Sequence, residues 1–179
     1  MSAKISIAST SLAGCFGCHM SLLDIDERIT NLAEVAVFDR SPLTDIKHCN
    51  PSTVGLIEGG VCNAENVEVL REFRQHCKIL IAVGACAING GLPALRNSIP
   101  LKECLETSYV DGLGVVDPQI PNDPELPLLL DKVYPIHEVI HVDYSIPGCP
   151  PSADVIWMFI TDLLAGREPS LPEELIHFD

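Results

Sequence analysis

The sequence has few positive charges and no long run of apolar residues. Its 11 Lys and Arg residues stand against 25 Asp and Glu residues, which gives a formal net charge of −14 at pH 7. Nucleic acids and anionic membrane surfaces repel such a chain, so we expect neither as a partner. Because no apolar run reaches the ~20 residues that span a bilayer, we also expect no membrane-spanning segment.

The N-terminal residues lack the pattern of an export signal. They contain no charged region followed by a long apolar one and no twin arginine, and they lead directly into a pair of cysteines. We therefore expect a cytoplasmic protein. In that reducing compartment, the eight cysteines of the chain favour metal ligation or simple burial over a disulfide framework.

Short apolar runs alternate with helical patterns along the chain. We predict strands at residues 4–10, 34–38, 54–57, 79–83 and 139–146. We predict helices after the first cysteine pair, after Asn63, and over residues 92–109 and 152–164, with an irregular segment at 111–135. Strands and helices that alternate in this way indicate a parallel sheet with helices on both faces. The prediction is a single α/β domain over residues 1–179.

Four cysteines lie in three glycine-rich loops, and each loop follows a predicted strand. They are Cys15 and Cys18 in AGCFGCH, Cys86 in VGACAINGG, and Cys149 in IPGCPP. Ligand sites of open parallel sheets lie outside the carboxyl ends of the strands, so these loops should share one edge. We therefore expect the four thiols to converge on a metal centre.

The spacing of these cysteines favours an iron–sulfur cubane over zinc. Zinc sites commonly use two close pairs, whereas here the last two cysteines arrive singly from distant loops. A cubane suits thiolates from separate directions, and the glycines allow backbone N–H groups to approach its sulfides. A structural zinc site and unligated core cysteines remain as alternatives, and the C-x-x-C pair alone also fits a thioredoxin-like dithiol.

The other four cysteines are interpreted as structural. Cys77 is predicted on the apolar face of the helix that follows Asn63, and Cys104 in a second helix, so both should be buried. Cys49 lies in a polar loop. Cys62 follows the third strand and is a minor candidate for a ligand or redox partner.

The segments AGCFGCHMSLLDIDE, VGLIEGGVCNAEN, VGACAINGGLPALRN and VDYSIPGCPPSAD together resemble the small subunits of [NiFe] hydrogenases. The resemblance is strongest to the compact form in cytoplasmic bidirectional, NAD-reducing enzymes, and it runs in order from Ile5 to Leu164. It implies a flavodoxin-like fold and one [4Fe-4S] cluster, the cluster nearest the nickel–iron site. The implied ligands are Cys15, Cys18, Cys86 and Cys149.

The resemblance also implies partners. Hydrogen is split or formed at a Ni-Fe site in a separate large subunit, and this chain carries electrons from there to a diaphorase module. The diaphorase subunits contain further iron–sulfur clusters and FMN, and they reduce NAD⁺. A flavin on this chain, near residues 9–11, is a weaker expectation from the family, because the loop has no G-x-G-x-x-G fingerprint.

This chain lacks some features of related proteins, and their absence favours one form of the family. The chain lacks the twin-arginine leader and two-cluster C-terminal domain of respiratory forms, and the tandem Cys-Cys pair of the complex I subunit. We therefore expect the compact form with a single cluster. The motifs leave open another soluble acceptor, such as NADP, a deazaflavin or ferredoxin. They also leave open a non-catalytic iron–sulfur carrier or redox sensor.

Polar residues near the cysteine loops have functional and structural interpretations. Glu58 ends the third strand, where a carboxylate needs a partner. It is either a proton relay, an occasional oxygen ligand to iron, or an acceptor of N–H bonds from the next helix. His19 is either a hydrogen-bond donor near the cluster or partner, or an ordinary loop histidine. Asp24, Asp26 and Glu27 are either a solvated helix face or a docking site for the large subunit.

Overall fold

The computed structural model describes residues 4–176, so the first three and last three residues of the predicted domain lie outside the described residues. Within residues 4–176 there are seven strands: β1 (Ile5–Ser11), β2 (Ala36–Phe38), β3 (Ser52–Glu58), β4 (Val61–Asn63), β5 (Cys77–Val83), β6 (Leu129–Tyr134) and β7 (Tyr144–Ile146). Six α-helices accompany them: α1 (Gly17–Leu23), α2 (Arg28–Val35), α3 (Ala64–His76), α4 (Gly84–Asn89), α5 (Leu101–Tyr109) and α6 (Ala153–Leu164).

Five strands form one parallel sheet in the order β2-β1-β3-β5-β7. Numbered among themselves, these strands have the order 2-1-3-4-5, which is the flavodoxin-like order. The predicted fold class is therefore confirmed. The strand order reverses direction between β1 and β3, and ligands of such sheets bind at that switch point.

Helices cover both faces of the sheet, because alternate strand residues point to opposite sides. On one face, Ile7 and Ile81 pack in a cluster with α1, α2 and α6. On the other face, Ala8 and Leu80 pack in a cluster with α3 and α4. Two separate cores thus hold the sheet rigid, and the loops at its carboxyl edge start from fixed points.

Side-chain caps begin two of the helices. Asn63 Oδ1 accepts a hydrogen bond from the backbone N–H of Asn66 at 2.8 Å, which confirms the predicted start of α3. Ser152 Oγ accepts from the N–H of Val155 at 3.3 Å and begins α6. Each cap satisfies an N–H group that has no partner inside its helix.

Two helix predictions were wrong in detail. The helix after the cysteine pair is broken into α1 and α2 at residues 24–27, where Asp26 adopts a left-handed φ of 54°. Asp24, Asp26 and Glu27 are exposed in this turn, not along a helix face. The segment 92–109 is also two elements, a 3₁₀-helix at Leu92–Ser98 and α5, because Pro100 interrupts it.

Other boundaries differ near the strands. Cys77 is buried as predicted, but it is the first residue of β5, since α3 ends one residue earlier. The last strand is shorter than predicted, because residues 139–143 form turns and bends and β7 begins only at Tyr144. The segment predicted as irregular contains β6, which pairs antiparallel with β4. Among the described helices, none combines the length and apolarity needed to cross a membrane.

Candidate metal centre

The loops after β1, β3, β5 and β7 lie together at the carboxyl edge of the sheet. Ala13 and Gly60 exchange two backbone hydrogen bonds of 3.0 and 2.7 Å, which join the loop after β1 to the loop after β3. The N–H of Ala85 donates to the carbonyl of Gly148 at 2.8 Å, which joins the loops after β5 and β7. The sheet edge therefore gathers all three cysteine-bearing loops, as the sequence predicts.

Two glycines permit the backbone to pass close to the cysteine sulfurs. Gly84 has a φ of +81°, and a Cβ there would overlap Sγ of Cys18. Gly91 has a φ of +48°, and a Cβ there would stand 2.8 Å from Sγ of Cys86. Any larger residue at these two positions would displace a thiol, so the glycines form a cradle around the sulfurs.

Two of the candidate thiols, Cys18 and Cys86, have pKa values raised by burial and by their neighbours. Burial raises the pKa of the Cys18 thiol, and the neighbouring Glu58 carboxylate raises it further. The thiols of Cys86 and Cys15 act on the Cys18 pKa in the same direction. Burial likewise raises the pKa of Cys86, and the thiols of Cys149 and Cys15 add to this rise. All four thiols thus belong to one electrostatic neighbourhood, with Cys15 and Cys149 at its exposed side.

The residues at this edge fit an iron–sulfur cluster. Four thiols are soft donors of the kind that iron–sulfur centres use. Burial raises the pKa of the Cys86 thiol, and the backbone N–H of Leu92 acts against that rise, as a donor near a thiolate does. Across residues 4–176, no three His, Cys, Asp or Glu side chains meet closely enough to bind one metal ion.

Glu58 is buried at the end of β3, with 3% of its side chain exposed, and it is fully bonded. Its Oε1 accepts a hydrogen bond from Ser11 Oγ at 2.6 Å and lies 3.1 Å from Nδ1 of His19. Its Oε2 accepts from the backbone N–H of His19 at 3.1 Å. Burial acts to raise the pKa of Glu58, but these hydrogen bonds outweigh it and hold the pKa below its usual range. The helix that donates to Glu58 is α1, not the helix that follows it in the chain.

His19 is a buried residue of α1, so its interpretation as an ordinary loop histidine was wrong. Its ring stacks on Phe16 with centroids 4.8 Å apart, and its Nε2 lies 3.0 Å from Ser9 Oγ. Ser9 Oγ donates to Ser41 Oγ at 2.9 Å. A buried hydrogen-bonded chain therefore leads from Glu58 through His19 and Ser9 to Ser41. Sequence reasoning missed it, because its members come from separate parts of the chain and meet only in the folded structure.

The remaining four cysteines lie apart from this edge or have other partners. Cys49 and Cys77 are buried at the start of β5 with their Sγ atoms 3.9 Å apart, and burial raises the pKa of both thiols. Cys62 Sγ contacts Asn66 Oδ1 at 3.4 Å. Cys104 is only half-buried on α5, which has no buried residue, so its predicted burial was wrong.

Comparison with known proteins finds one matching family and similar hydrogenase subunits. The family described as NADH ubiquinone oxidoreductase, 20 Kd subunit, matches residues 15–163. NAD-reducing hydrogenase HoxS subunit delta of Cupriavidus necator is 46% identical over 98% of this chain and 86% of its own length. A subunit of the F420-non-reducing hydrogenase of Methanothermobacter thermautotrophicus is 40% identical over 97% of this chain and 58% of its own length.

A solved structure extends the comparison to three dimensions. A chain in the crystal structure of an NAD⁺-reducing [NiFe]-hydrogenase in the H₂-reduced state superposes with a TM-score of 0.97 and 58% identity. The match covers 99% of this chain and 100% of that chain.

The flavodoxin-like sheet with its cysteine-bearing edge, together with these matches, defines a subunit of an oxidoreductase complex. The chain belongs to the NADH ubiquinone oxidoreductase, 20 Kd subunit, family. The proteins similar to it include hydrogenase subunits, and the resemblance to [NiFe] hydrogenase small subunits is confirmed.

Proposed function

We propose that this chain is the electron-transfer small subunit of an NAD-reducing [NiFe] hydrogenase, which catalyses H₂ + NAD⁺ = H⁺ + NADH. The observation that carries this proposal is the full-length match, at 58% identity, to a chain of an NAD⁺-reducing [NiFe]-hydrogenase. The chain would hold one [4Fe-4S] cluster through Cys15, Cys18, Cys86 and Cys149. When bound, such a cluster supplies one-electron transfer.

The chain's own residues would bind and tune this group. The four thiols lose their protons on binding, so the raised pKa of Cys18 and Cys86 makes cluster insertion a proton-releasing step. Gly84 and Gly91 keep the space beside the sulfurs free. The N–H of Leu92 would stabilise the thiolate of Cys86, and such hydrogen bonds adjust cluster potentials.

Glu58 would act beside the cluster through its charge. Its carboxylate neighbours Cys18 and is held ionised by Ser11 and His19. A negative charge at this position opposes the arrival of an electron, so it would lower the cluster potential. The same carboxylate is the candidate for a proton relay at the subunit junction, or for an occasional oxygen ligand to iron.

The proposed assembly contains a large subunit with the Ni-Fe site, and diaphorase subunits with iron–sulfur clusters and FMN, in the cytoplasm. The match to a chain of an NAD⁺-reducing [NiFe]-hydrogenase supports the large-subunit partner. The diaphorase partners follow from the NAD-reducing activity named for HoxS. A flavin on this chain itself remains a minor part of the proposal.

A second candidate is a hydrogenase small subunit that serves another soluble acceptor, such as NADP or ferredoxin. This candidate is supported by the 40% identity to a subunit of an F420-non-reducing hydrogenase, an enzyme whose name does not specify NAD as the acceptor. A non-catalytic iron–sulfur carrier or redox sensor is the third candidate, and it would not co-purify with a nickel-containing subunit.

One experiment separates these candidates. The native assembly is purified anaerobically through a tag on this chain, and its nickel, iron and sulfide are counted. H₂-dependent reduction is then assayed with NAD⁺ and with NADP⁺. We expect nickel in the preparation and a clear preference for NAD⁺. Absence of nickel together with absence of H₂ activity would overturn the proposal, and a preference for NADP⁺ would select the second candidate.

A further inference from the structure

An exposed apolar surface lies on the segment that follows Cys86. Of the 17 exposed large apolar side chains in residues 4–176, 12 lie between Leu92 and Leu129. Part of this segment encloses a groove of about 440 Å³. We call it the lateral groove, and its apolar lining includes Leu105, Tyr109, Ile120, Leu126, Leu128 and Leu129. An exposed groove lined by apolar side chains is a candidate interaction site.

The lateral groove is built on fixed backbone. Arg96 donates from Nη2 to the carbonyl of Leu130 at 3.0 Å, and from Nη1 to that of Asp131 at 3.2 Å. Asn97 forms two side-chain hydrogen bonds of 2.8 Å with the backbone of Val133. The N–H of Ala64 donates to the carbonyl of Leu128 at 2.9 Å. These bonds fix the β6 side of the groove, while α5 on the other side has no buried residue.

The charge around the lateral groove restricts its occupant. Residues 101–131 contain seven Asp and Glu and one Lys, and Nζ of that Lys102 lies 3.4 Å from Oε1 of Glu106. A second copy of this chain would bring the same negative charge to the groove, and an anionic membrane would be repelled as well. The complementary occupant is an apolar segment flanked by Lys or Arg on a different protein.

The lateral groove is close to the candidate metal centre but separate from its thiols. The ribbon of β4 and β6 connects them: Gly60, which precedes β4, lies against the carbonyl of Cys86. Three residues further, Asn63 pairs with Leu129 at the groove. At 3.2–3.4 Å per strand residue, this step is about 10 Å. A partner in the groove therefore reaches the centre's neighbourhood and leaves the exposed side at Cys15 and Cys149 free.

We propose that the lateral groove docks the subunit that accepts electrons from this chain, through an apolar segment flanked by Lys or Arg. This inference rests on the proposed function, because an electron relay needs one donor and one acceptor on different faces. The donor has to approach the exposed thiols of Cys15 and Cys149. The lateral groove lies apart from those thiols, so it offers the acceptor its own binding site.

The test uses the complete native assembly with a tag on this chain. The double variant L126D/L128D adds charge at two side chains that are 50% and 80% exposed in the free chain. The matched control is Val35→Asp, which is 51% exposed at the end of α2 and outside the groove. Co-purified subunits are quantified by mass spectrometry, and H₂-dependent reduction of a viologen dye and of NAD⁺ is measured.

We expect L126D/L128D to keep its nickel subunit and its dye reduction, and to lose the acceptor subunit and NAD⁺ reduction at least tenfold. Val35→Asp should leave all four readouts at the wild-type level. Wild-type amounts of the acceptor subunit in L126D/L128D would overturn the proposal, as would loss of the nickel subunit alone.

A second variant keeps the test decisive if L126D/L128D folds poorly. Glu125→Lys reverses an exposed charge beside the groove residue Leu126 and leaves the hydrogen bond between the Asp123 side chain and the backbone N–H of Glu125 in place. It should weaken retention of the acceptor subunit, and unchanged retention would count against the docking site. A wild-type assembly without nickel and without H₂ activity would instead refute the proposed function. In that case, retention of the acceptor subunit by the variants would still decide whether the groove is a docking site.

Discussion

Oε1 of Glu58 lies 3.1 Å from Nδ1 of His19, and neither side chain is more than 4% exposed. The pair lies directly behind Cys18, since His19 is its neighbour in the chain and Glu58 acts on its thiol. The Glu58 carboxylate is therefore hydrogen-bonded to a residue that lies next to the candidate metal centre.

Replacement of Glu58 by Gln tests this charge. The amide keeps the size of the side chain but removes the negative charge and one acceptor for Ser11 and His19. We expect a higher cluster potential and an altered spectrum of the oxidised cluster, together with a loss of about 1–3 kcal/mol in the free energy of unfolding. Redox titration followed by electron paramagnetic resonance and denaturant unfolding measure the two effects.

The control is Glu65→Gln, which removes a carboxylate from the first turn of α3. It should change stability slightly and leave the spectrum alone. Unchanged potential, spectrum and turnover in Glu58→Gln would refute a role for Glu58 at the centre.

Replacement of Gly84 by Ala tests the cradle around the sulfurs. A methyl group there would overlap Sγ of Cys18, while Gly114 has nearly the same φ, +82° against +81°, and open space around it. Both Ala variants should lose about 1–2 kcal/mol because of their left-handed backbone. Only Gly84→Ala should also lose iron and sulfide, which are counted after anaerobic purification. Equal iron content in the two variants would show that the cradle has no function.

Substitution of single cysteines by serine separates ligands from structural residues. We expect Cys15→Ser, Cys18→Ser, Cys86→Ser and Cys149→Ser to lower bound iron strongly, since each removes a thiolate. Cys62→Ser is the matched control, because Cys62 is partly exposed like Cys86 but contacts Asn66 instead. A full complement of iron in any of the first four variants would remove that residue from the ligand set.

The pH dependence of stability tests an ion pair on the far side of the molecule. Asp143 Oδ2 accepts from Arg74 Nη1 and from the backbone N–H of Leu80, both at 2.7 Å. Burial acts to raise the pKa of Asp143, but these bonds hold it below its usual range. Because the folded pKa is depressed, the stabilisation is present above the unfolded value of about 3.9 and is lost as the pH falls through the folded pKa.

Asp143→Asn should therefore lower the free energy of unfolding by about 1–3 kcal/mol at pH 7, and the deficit should shrink below pH 4. Urea unfolding across this range measures it. Asp154→Asn is the control, because its bond to Arg28 is exposed and should contribute little. A deficit for Asp143→Asn that stays constant down to pH 3 would contradict the expectation.

The sequence predicts the parts of this molecule that depend on local patterns. The main-sheet strands and the cysteine loops after them follow from apolar runs that end in glycine-rich turns. The break after α1 was missed because Asp26 adopts a left-handed conformation that its side chain does not require. The β4–β6 ribbon was also missed, since β4 has only three residues and its partner is distant in the chain.

The surroundings of Glu58 could be predicted only in part. Its need for partners follows from its position at the end of an apolar strand. The partners themselves come from β1 and α1, and only the three-dimensional packing brings Ser9, Ser11 and His19 around it.

The parallel sheet also sets the order of events during synthesis of the chain. Cys15 follows β1, while Cys149 follows β7, the last strand to emerge, and β7 is held in the sheet through its pairing with β5. The proposed ligand set is therefore incomplete until almost the whole sheet has formed. Insertion of the proposed cluster would then be a late step of biogenesis, and a bound cluster would mark a chain that has finished folding.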